Sequence, residues 1–201
     1  MAPVYKLSSS SVKNGRMLYG SMLAGNASWT VPDTGAMFPL QVITVGAAGA
    51  SSVTFTNIPA TYSHLQVRGF VQSTGTPQLR FRFNSDTGNN YAWHCLEGNG
   101  TNAQGSQRAT TTNEMLIFVN GLIAANTPSP FITDILDYAN TNKYKTIRSL
   151  NGGDNNSAGN IALNSGLWQS TSAVTSVTVA STGTAFSQYS QIALYGIKGA
   201  A

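Results

Sequence analysis

Beyond the first forty residues, the chain is a succession of short segments in which apolar and polar residues alternate, with turn residues between them. An alternation with a period of two places neighbouring side chains on opposite faces of a β-strand. The clearest case is LRFRF at positions 79–83. Its Leu79, Phe81 and Phe83 are predicted to face a core, and the two arginines between them are predicted to face solvent.

This pattern predicts ten strands and no amphipathic helix. β-branched and aromatic residues dominate the segments, and turn signals separate them at a spacing typical of a sandwich or barrel. In the first segment Val53, Phe55 and Asn57 share a face, and Pro59 ends it because proline cannot donate to a sheet ladder. The predicted strands are 52–58, 64–71, 79–83, 91–97, 114–119, 131–138, 143–150, 160–168, 176–181 and 191–198.

Residues 1–45 differ from the rest because their apolar residues follow neither the period of 3.6 of a helix nor the period of two of a strand. They nevertheless contain many aromatic and apolar side chains. A frayed terminus is one reading. We favour an extended N-terminal arm that makes inter-subunit contacts, followed by a sandwich domain over residues 46–201. Its candidate contact residues are the cations and aromatics Tyr5, Lys6, Lys13, Arg16, Tyr19 and Trp29.

Charged residues make up only 9% of the 201-residue chain, against about 25% in ordinary globular proteins. Such a weakly charged surface suits a protein built into an assembly. The net charge is +4, but no two basic residues are adjacent, so nucleic acid is not an expected partner. The sequence shows no secretory signal, and its longest apolar run, residues 115–119, is too short to span a membrane. We therefore expect synthesis in a cytoplasm.

The stretch DILDYANTNKYKTIRSLNGG at 134–153 concentrates charge in a chain that has little of it. Asp134 and Asp137 are three apart, which on one strand puts them on opposite faces and prevents them from acting as a paired acid and base. ANTN is a turn signal. We expect a hairpin in which Lys143, Lys145 and Arg148 lie across from the two aspartates as cross-strand partners.

Other candidate chemistry is equally sparse. His94 and Cys95 are adjacent, so on a strand they point apart, and a nucleophile pair needs convergence. With His64 as the only other histidine, the chain makes a poor zinc site. The glycine-rich GNGTNAQGSQ at 98–107 is predicted to be a loop, and SDTGNN at 85–90 a turn. We predict no catalytic residue, no cofactor and no metal, and hence no enzyme.

Several phrases occur in an order that resembles a family of tailed-bacteriophage virion proteins. They are SVTFTNIPATYSHLQVRG, FRFNSDTGNNYAWHCLEGNG, DILDYANTNKYKTIRSLNGGDNN, SGLWQSTSAVTSVTV and SQIALYGIKGA, within residues 46–200. The resemblance implies a jelly-roll-like antiparallel β-sandwich with a structural or binding role and without catalysis. It also implies release by lysis, which agrees with the missing export signal.

Two functions are consistent with this resemblance. The first is a capsid decoration, or cement, protein on the outer surface of the head, where we expect a homotrimer whose arm clamps neighbouring major capsid subunits. Many weak contacts would then act together. The alternative is a tail-fibre or receptor-binding module that recognises a host surface glycan through polar loops at 98–110 and 151–160.

Overall fold

The computed structural model describes residues 36–118, 127–154 and 159–199. Within them the chain forms twelve strands, and every pairing between neighbours is antiparallel. None of the described residues forms a helix long and apolar enough to cross a membrane. The strands are β1 (Met37–Thr44), β2 (Ser52–Phe55), β3 (His64–Val71), β4 (Gln78–Phe83), β5 (Tyr91–Gly98), β6 (Ala103–Thr112), β7 (Met115–Phe118), β8 (Ser129–Leu136), β9 (Lys145–Asp154), β10 (Gly159–Trp168), β11 (Val177–Thr182) and β12 (Gln191–Ile197).

The strands form two sheets with jelly-roll connectivity. The large sheet begins β1-β12-β3-β8, and the small sheet is β2-β11-β4-β7. These eight strands form the two interlocked Greek keys of a jelly roll. Two inserted hairpins, β5–β6 and β9–β10, extend the large sheet beyond β8 in the order β9-β10-β5-β6. The predicted all-β sandwich is therefore confirmed.

The core lies between the sheets and follows the alternation in the sequence. In β4, Leu79, Phe81 and Phe83 are fully buried, as predicted. The Phe83 ring meets the ring of Trp168 edge to face, and the Tyr91 ring stacks on the same indole. Each buried aromatic or aliphatic side chain contributes about 1.5–3 kcal/mol to stability, so this cluster carries much of the fold.

Two strands were not predicted. β1 lies inside the segment 1–45 that the sequence assigned to the arm, yet it pairs with β12 and belongs to the sandwich, which begins at Met37. Its register shifts between Pro39 and Gln41, an irregularity that an edge strand tolerates. β6 covers residues 103–107 of the segment 98–107 predicted to be a loop. For those residues the prediction is wrong, because the β5 backbone supplies hydrogen-bond partners that composition cannot reveal.

Candidate functional site

The six arm residues singled out in the sequence lie outside the described residues. They are Tyr5, Lys6, Lys13, Arg16, Tyr19 and Trp29. The arm therefore stays a prediction.

The charged stretch 134–148 forms the predicted hairpin. Its two acids, Asp134 and Asp137, lie in different parts of that hairpin and have different partners. Asp134 lies in β8 directly opposite Arg148 of β9, and its carboxylate accepts a hydrogen bond from Gln66 Nε2 at 2.6 Å. Asp137 lies beyond the end of β8 with a φ of 48°, in the left-handed region. The prediction that both aspartates share one strand is therefore wrong.

Asp137 closes the turn between β8 and β9. Its carboxylate forms an ion pair with Lys143, and the hydrogen bond from that ammonium holds the pKa of Asp137 below its usual value. The backbone N–H of Asp137 donates to Nδ1 of His64 at 3.0 Å. The same nitrogen lies 3.4 Å from the Asp137 carboxylate.

Lys145 was predicted to be a cross-strand partner of the aspartates. That prediction is wrong, because the Lys145 side chain is fully buried. Its Nζ donates to the backbone carbonyl oxygens of Lys143, at 2.8 Å, and of Thr171, at 3.2 Å. Burial lowers the pKa of this ammonium, and the nearby charge of Lys143 lowers it further. Lys145 thus ties the start of β9 to the segment that follows β10.

Cys95 and His94 point to opposite faces of β5, as their adjacency predicted. Cys95 is buried beside Trp93 and Leu116, whereas His94 is exposed. Burial, together with the nearby Glu97 carboxylate, raises the pKa of the Cys95 thiol to about 11. The thiol is therefore protonated at neutral pH. Among the described residues, no group of three or more His, Cys, Asp or Glu side chains is placed to hold a metal ion.

An unusual feature of the surface is an inverted alternation at the end of β5 and in the adjoining parts of β9 and β10. In an antiparallel sheet with one solvated face, apolar side chains normally point inward and polar ones outward. Here the inward positions carry Ser149, Asn151, Asn164 and Glu97, all buried. The outward positions between them carry leucine and isoleucine. At this end of the inserted hairpins the large sheet is therefore polar toward the protein and apolar toward solvent. Elsewhere in the same strands the inward positions are apolar, as at Trp93, Ile147 and Trp168.

The buried polar side chains are held by β7 and by one another. The Asn151 side-chain amide donates to the backbone carbonyl oxygen of Ile117 and, at 3.0 Å, to Asn164 Oδ1. The Ser149 hydroxyl donates to the same carbonyl at 3.2 Å and accepts a hydrogen bond from Thr133 at 2.9 Å. The inward polar positions thus join β8, β9, β10 and β7.

The outward apolar side chains form one contiguous surface. Leu96, Leu163 and Leu150 are direct cross-strand partners on β5, β10 and β9. Cβ atoms of such partners lie about 4.5–5.5 Å apart, so Leu163 lies directly between the other two side chains. Ile161 follows two residues from Leu163 on the same face of β10. We name this set the outer apolar patch; its exposed fractions are 57% for Leu96, 48% for Leu150, 59% for Ile161 and 52% for Leu163.

The outer apolar patch is bordered by a groove, which Arg68 lines, and by two further arginines, Arg148 and Arg108. The groove has a volume of about 930 Å³ and runs from Arg68 and Pro130 past Leu150 and Ile161 to Asn99. Arg148 and Arg108 lie on the row next to the leucines, in register through Ser165 and His94. None of the described residues forms an ion pair with these two guanidinium groups.

This surface was not predicted from the sequence, which had instead suggested loops at 98–110 and 151–160. β6 occupies residues 103–110, and β9 and β10 occupy residues 151–154 and 159–160, so the loop prediction is wrong for those residues. A usable signal was present in NIALNSGL, where Ile161 and Leu163 alternate with Ala162 and Asn164. That pattern predicts a strand, but it does not by itself tell which face is buried.

Comparisons with known proteins add no relative. A scan against protein-family models, a search of curated proteins and a search of solved structures each find no match.

Proposed function

We propose that the chain is a structural protein of a bacteriophage virion, namely a decoration protein that binds the outside of the head. In this proposal the N-terminal arm bridges neighbouring major capsid subunits, and the protein acts with copies of itself. It works by covering surfaces and joining them, without chemical turnover.

The observation that carries the proposal is the strand order of the two sheets. The arrangement β1-β12-β3-β8 over β2-β11-β4-β7 is the jelly roll, an architecture used by viral capsid proteins and by lectins. A fold by itself does not select a function. The sequence phrases that resemble phage virion proteins favour the first of the two uses.

Three carboxylates of the described residues support a non-catalytic role because they are engaged in holding the fold. Glu114 pairs with Arg82 at 3.2 Å and Asp137 pairs with Lys143. Asp86 accepts three hydrogen bonds inside a turn. A general acid or base has to be within reach of a substrate proton, and these carboxylates are occupied by structural donors.

The position of β1 supports the role given to the arm. β1 is the outermost strand on one side of the large sheet, so the chain enters the sandwich at an edge. An edge strand presents unpaired backbone groups that can pair with another chain. A segment that precedes Met37 is thus attached where contact with a neighbouring subunit requires no rearrangement of the core.

The test is a comparison of the full chain with a variant that lacks residues 1–36 and so keeps β1. We expect both to give the same β-sheet circular dichroism and the same urea midpoint, because the deletion spares every described strand. Only the full chain should coat heads prepared without it, measured by co-sedimentation and by its copy number in images of the particle. If the truncated protein coats heads to full occupancy, the arm does not bridge the shell.

A tail-fibre module that binds a glycan is the second candidate, and the groove beside the outer apolar patch favours it. Asn99 and Asp154 line this groove and offer a side-chain amide and a carboxylate, groups that sugar hydroxyls bind. Glycan-array binding that is lost in an Asn99→Ala variant and kept in a Thr54→Ala variant would select this function. A location on the tail with few copies per particle would do the same.

A further inference from the structure

We propose that the outer apolar patch and the arginines beside it form a docking surface for a protein that presents carboxylates around exposed aliphatic side chains. The inference rests on the proposed function in one respect, since it takes that partner to be the outer surface of the head shell. It differs from the proposed function in giving the sandwich itself, and not only the arm, a contact with the shell.

The first argument is the inverted alternation. A sheet face that stays in water is normally polar, and a contiguous apolar patch on a surface marks a site of interaction. In β9, Leu150 points to solvent while Ser149 and Asn151 on either side are buried. Apolar side chains on this face contribute little to stability while they stay in water, so they are placed for a second layer that covers them.

The second argument is charge. Arg148 and Arg108 flank the leucines, and no carboxylate of the described residues forms an ion pair with either. Asp134, which faces Arg148 across the strands, already accepts a hydrogen bond from Gln66. Interfaces pair opposite charges around an apolar centre, which steers association and fixes the register of the partner. The complement of this surface is aliphatic at the centre and acidic at the rim.

Two occupants from the chain itself fit less well. A second copy docking by the same face would bring a second set of the same arginines to the interface. The N-terminal arm of a neighbour carries Lys6, Lys13 and Arg16 and no acid before Asp33, so it would also add like charge. Like charges in contact oppose association, and an acidic partner avoids this.

The experiment uses the full chain and heads prepared without it, with binding followed by co-sedimentation over a range of salt concentrations. Leu163→Glu places a charge at the centre of the patch, and Leu163→Thr shortens the same side chain while keeping strand propensity. Arg148→Glu reverses the rim charge. The matched control is Val42→Glu, because Val42 is 55% exposed on the same face of the same sheet but on β1, five strands away from β10.

We expect Leu163→Glu to weaken head binding at least about tenfold and Leu163→Thr to weaken it severalfold, whereas Val42→Glu binds as the unaltered chain does. Arg148→Glu should bind more weakly and show less dependence on salt. All four should keep the circular dichroism spectrum of the unaltered chain. Leu163→Thr keeps the test decisive should Leu163→Glu fail to fold.

The outcomes separate this inference from the proposed function. If the unaltered chain coats heads and both Leu163 variants coat them equally well, the docking surface is wrong and the arm alone is sufficient. If the unaltered chain does not bind heads, the proposed function fails and the inference fails with it. If the chain is an oligomer in sedimentation velocity and Leu163→Glu makes it monomeric, the patch joins copies of the chain and the assigned partner is wrong.

Discussion

The indole nitrogen of Trp168 donates a hydrogen bond to the carboxylate of Asp86 across 2.7 Å, which joins the end of β10 to the turn between β4 and β5. The same carboxylate accepts hydrogen bonds from the Gly88 backbone N–H and from Asn90 Nδ2, each at 2.8 Å. Burial would raise the pKa of Asp86, but these hydrogen bonds and the nearby Arg82 charge outweigh it and hold the pKa below 3.8. The turn SDTGNN, which was predicted from composition, is thus built around one acid.

We predict that Asp86→Ala lowers the free energy of unfolding by about 2–3 kcal/mol, because it leaves the buried indole N–H of Trp168 without its acceptor. Asp86→Asn keeps an acceptor oxygen and should cost about 1 kcal/mol. Urea unfolding followed by tryptophan fluorescence measures both. Thr87→Ala, an exposed substitution in the same turn, is the control and should change stability by less than about 0.5 kcal/mol. Equal effects of Asp86→Ala and Thr87→Ala would contradict the assignment.

Stability should also fall in acid through Asp86 and Asp137, whose pKa values are both lowered in the folded protein. A carboxyl group with a depressed folded pKa contributes stability that is present above its unfolded pKa, here 3.8, and is lost as the pH falls toward the folded value. The urea midpoint should therefore be flat near neutral pH and decline below about pH 4. The double variant Asp86→Asn, Asp137→Asn should start lower and decline less. A midpoint that declines equally in both proteins would show that other groups are responsible.

The sequence predicted the β4 face correctly because its two kinds of residue are cleanly separated, with apolar Leu79, Phe81 and Phe83 alternating with arginines. It could not predict the face of β9 in the same way. Apolar and polar residues occur on both faces there, and the buried Asn151 is explained only by the Ile117 carbonyl, 34 residues away in the chain. β6 and β1 were not predicted for a related reason. Both are edge strands of the large sheet, and each forms by hydrogen bonding to the backbone of one neighbouring strand.

Substitutions of the buried Lys145 can separate the contribution of its side-chain volume to stability from that of its charged ammonium group. Lys145→Ala should lower the free energy of unfolding by about 3 kcal/mol, because it removes a fully buried side chain and leaves a cavity. Lys145→Met retains most of that volume and removes the cost of burying an ammonium, so it should lose only about 1 kcal/mol through the two carbonyl oxygens left without their donor. Thermal unfolding of the three proteins measures the difference. If methionine costs as much as alanine, the two hydrogen bonds outweigh the packing.

The inverted alternation leads to a prediction opposite to the one that hydrophobicity alone would give. Leu150 and Asn151 are neighbours on β9, and the usual expectation is that the leucine is the core residue. Asn151 is the buried one, and its amide serves both the Ile117 carbonyl and Asn164. Asn151→Ala should therefore cost about 2 kcal/mol, because it leaves the buried Asn164 Oδ1 without a donor and leaves the Ile117 carbonyl with the Ser149 hydroxyl alone. Leu150→Ser should stay within about 0.5 kcal/mol.

Urea unfolding of the isolated chain tests this ranking directly, with Thr146→Ala as a control at another exposed position of β9. The ranking has a functional consequence as well. A leucine that contributes little to the stability of the isolated molecule, and is nevertheless surrounded by further exposed aliphatic side chains, has its apolar surface available for a partner. If Leu150→Ser destabilises the isolated chain as much as Asn151→Ala does, then Leu150 is already packed within the molecule, and the outer apolar patch is part of the fold and not a docking surface.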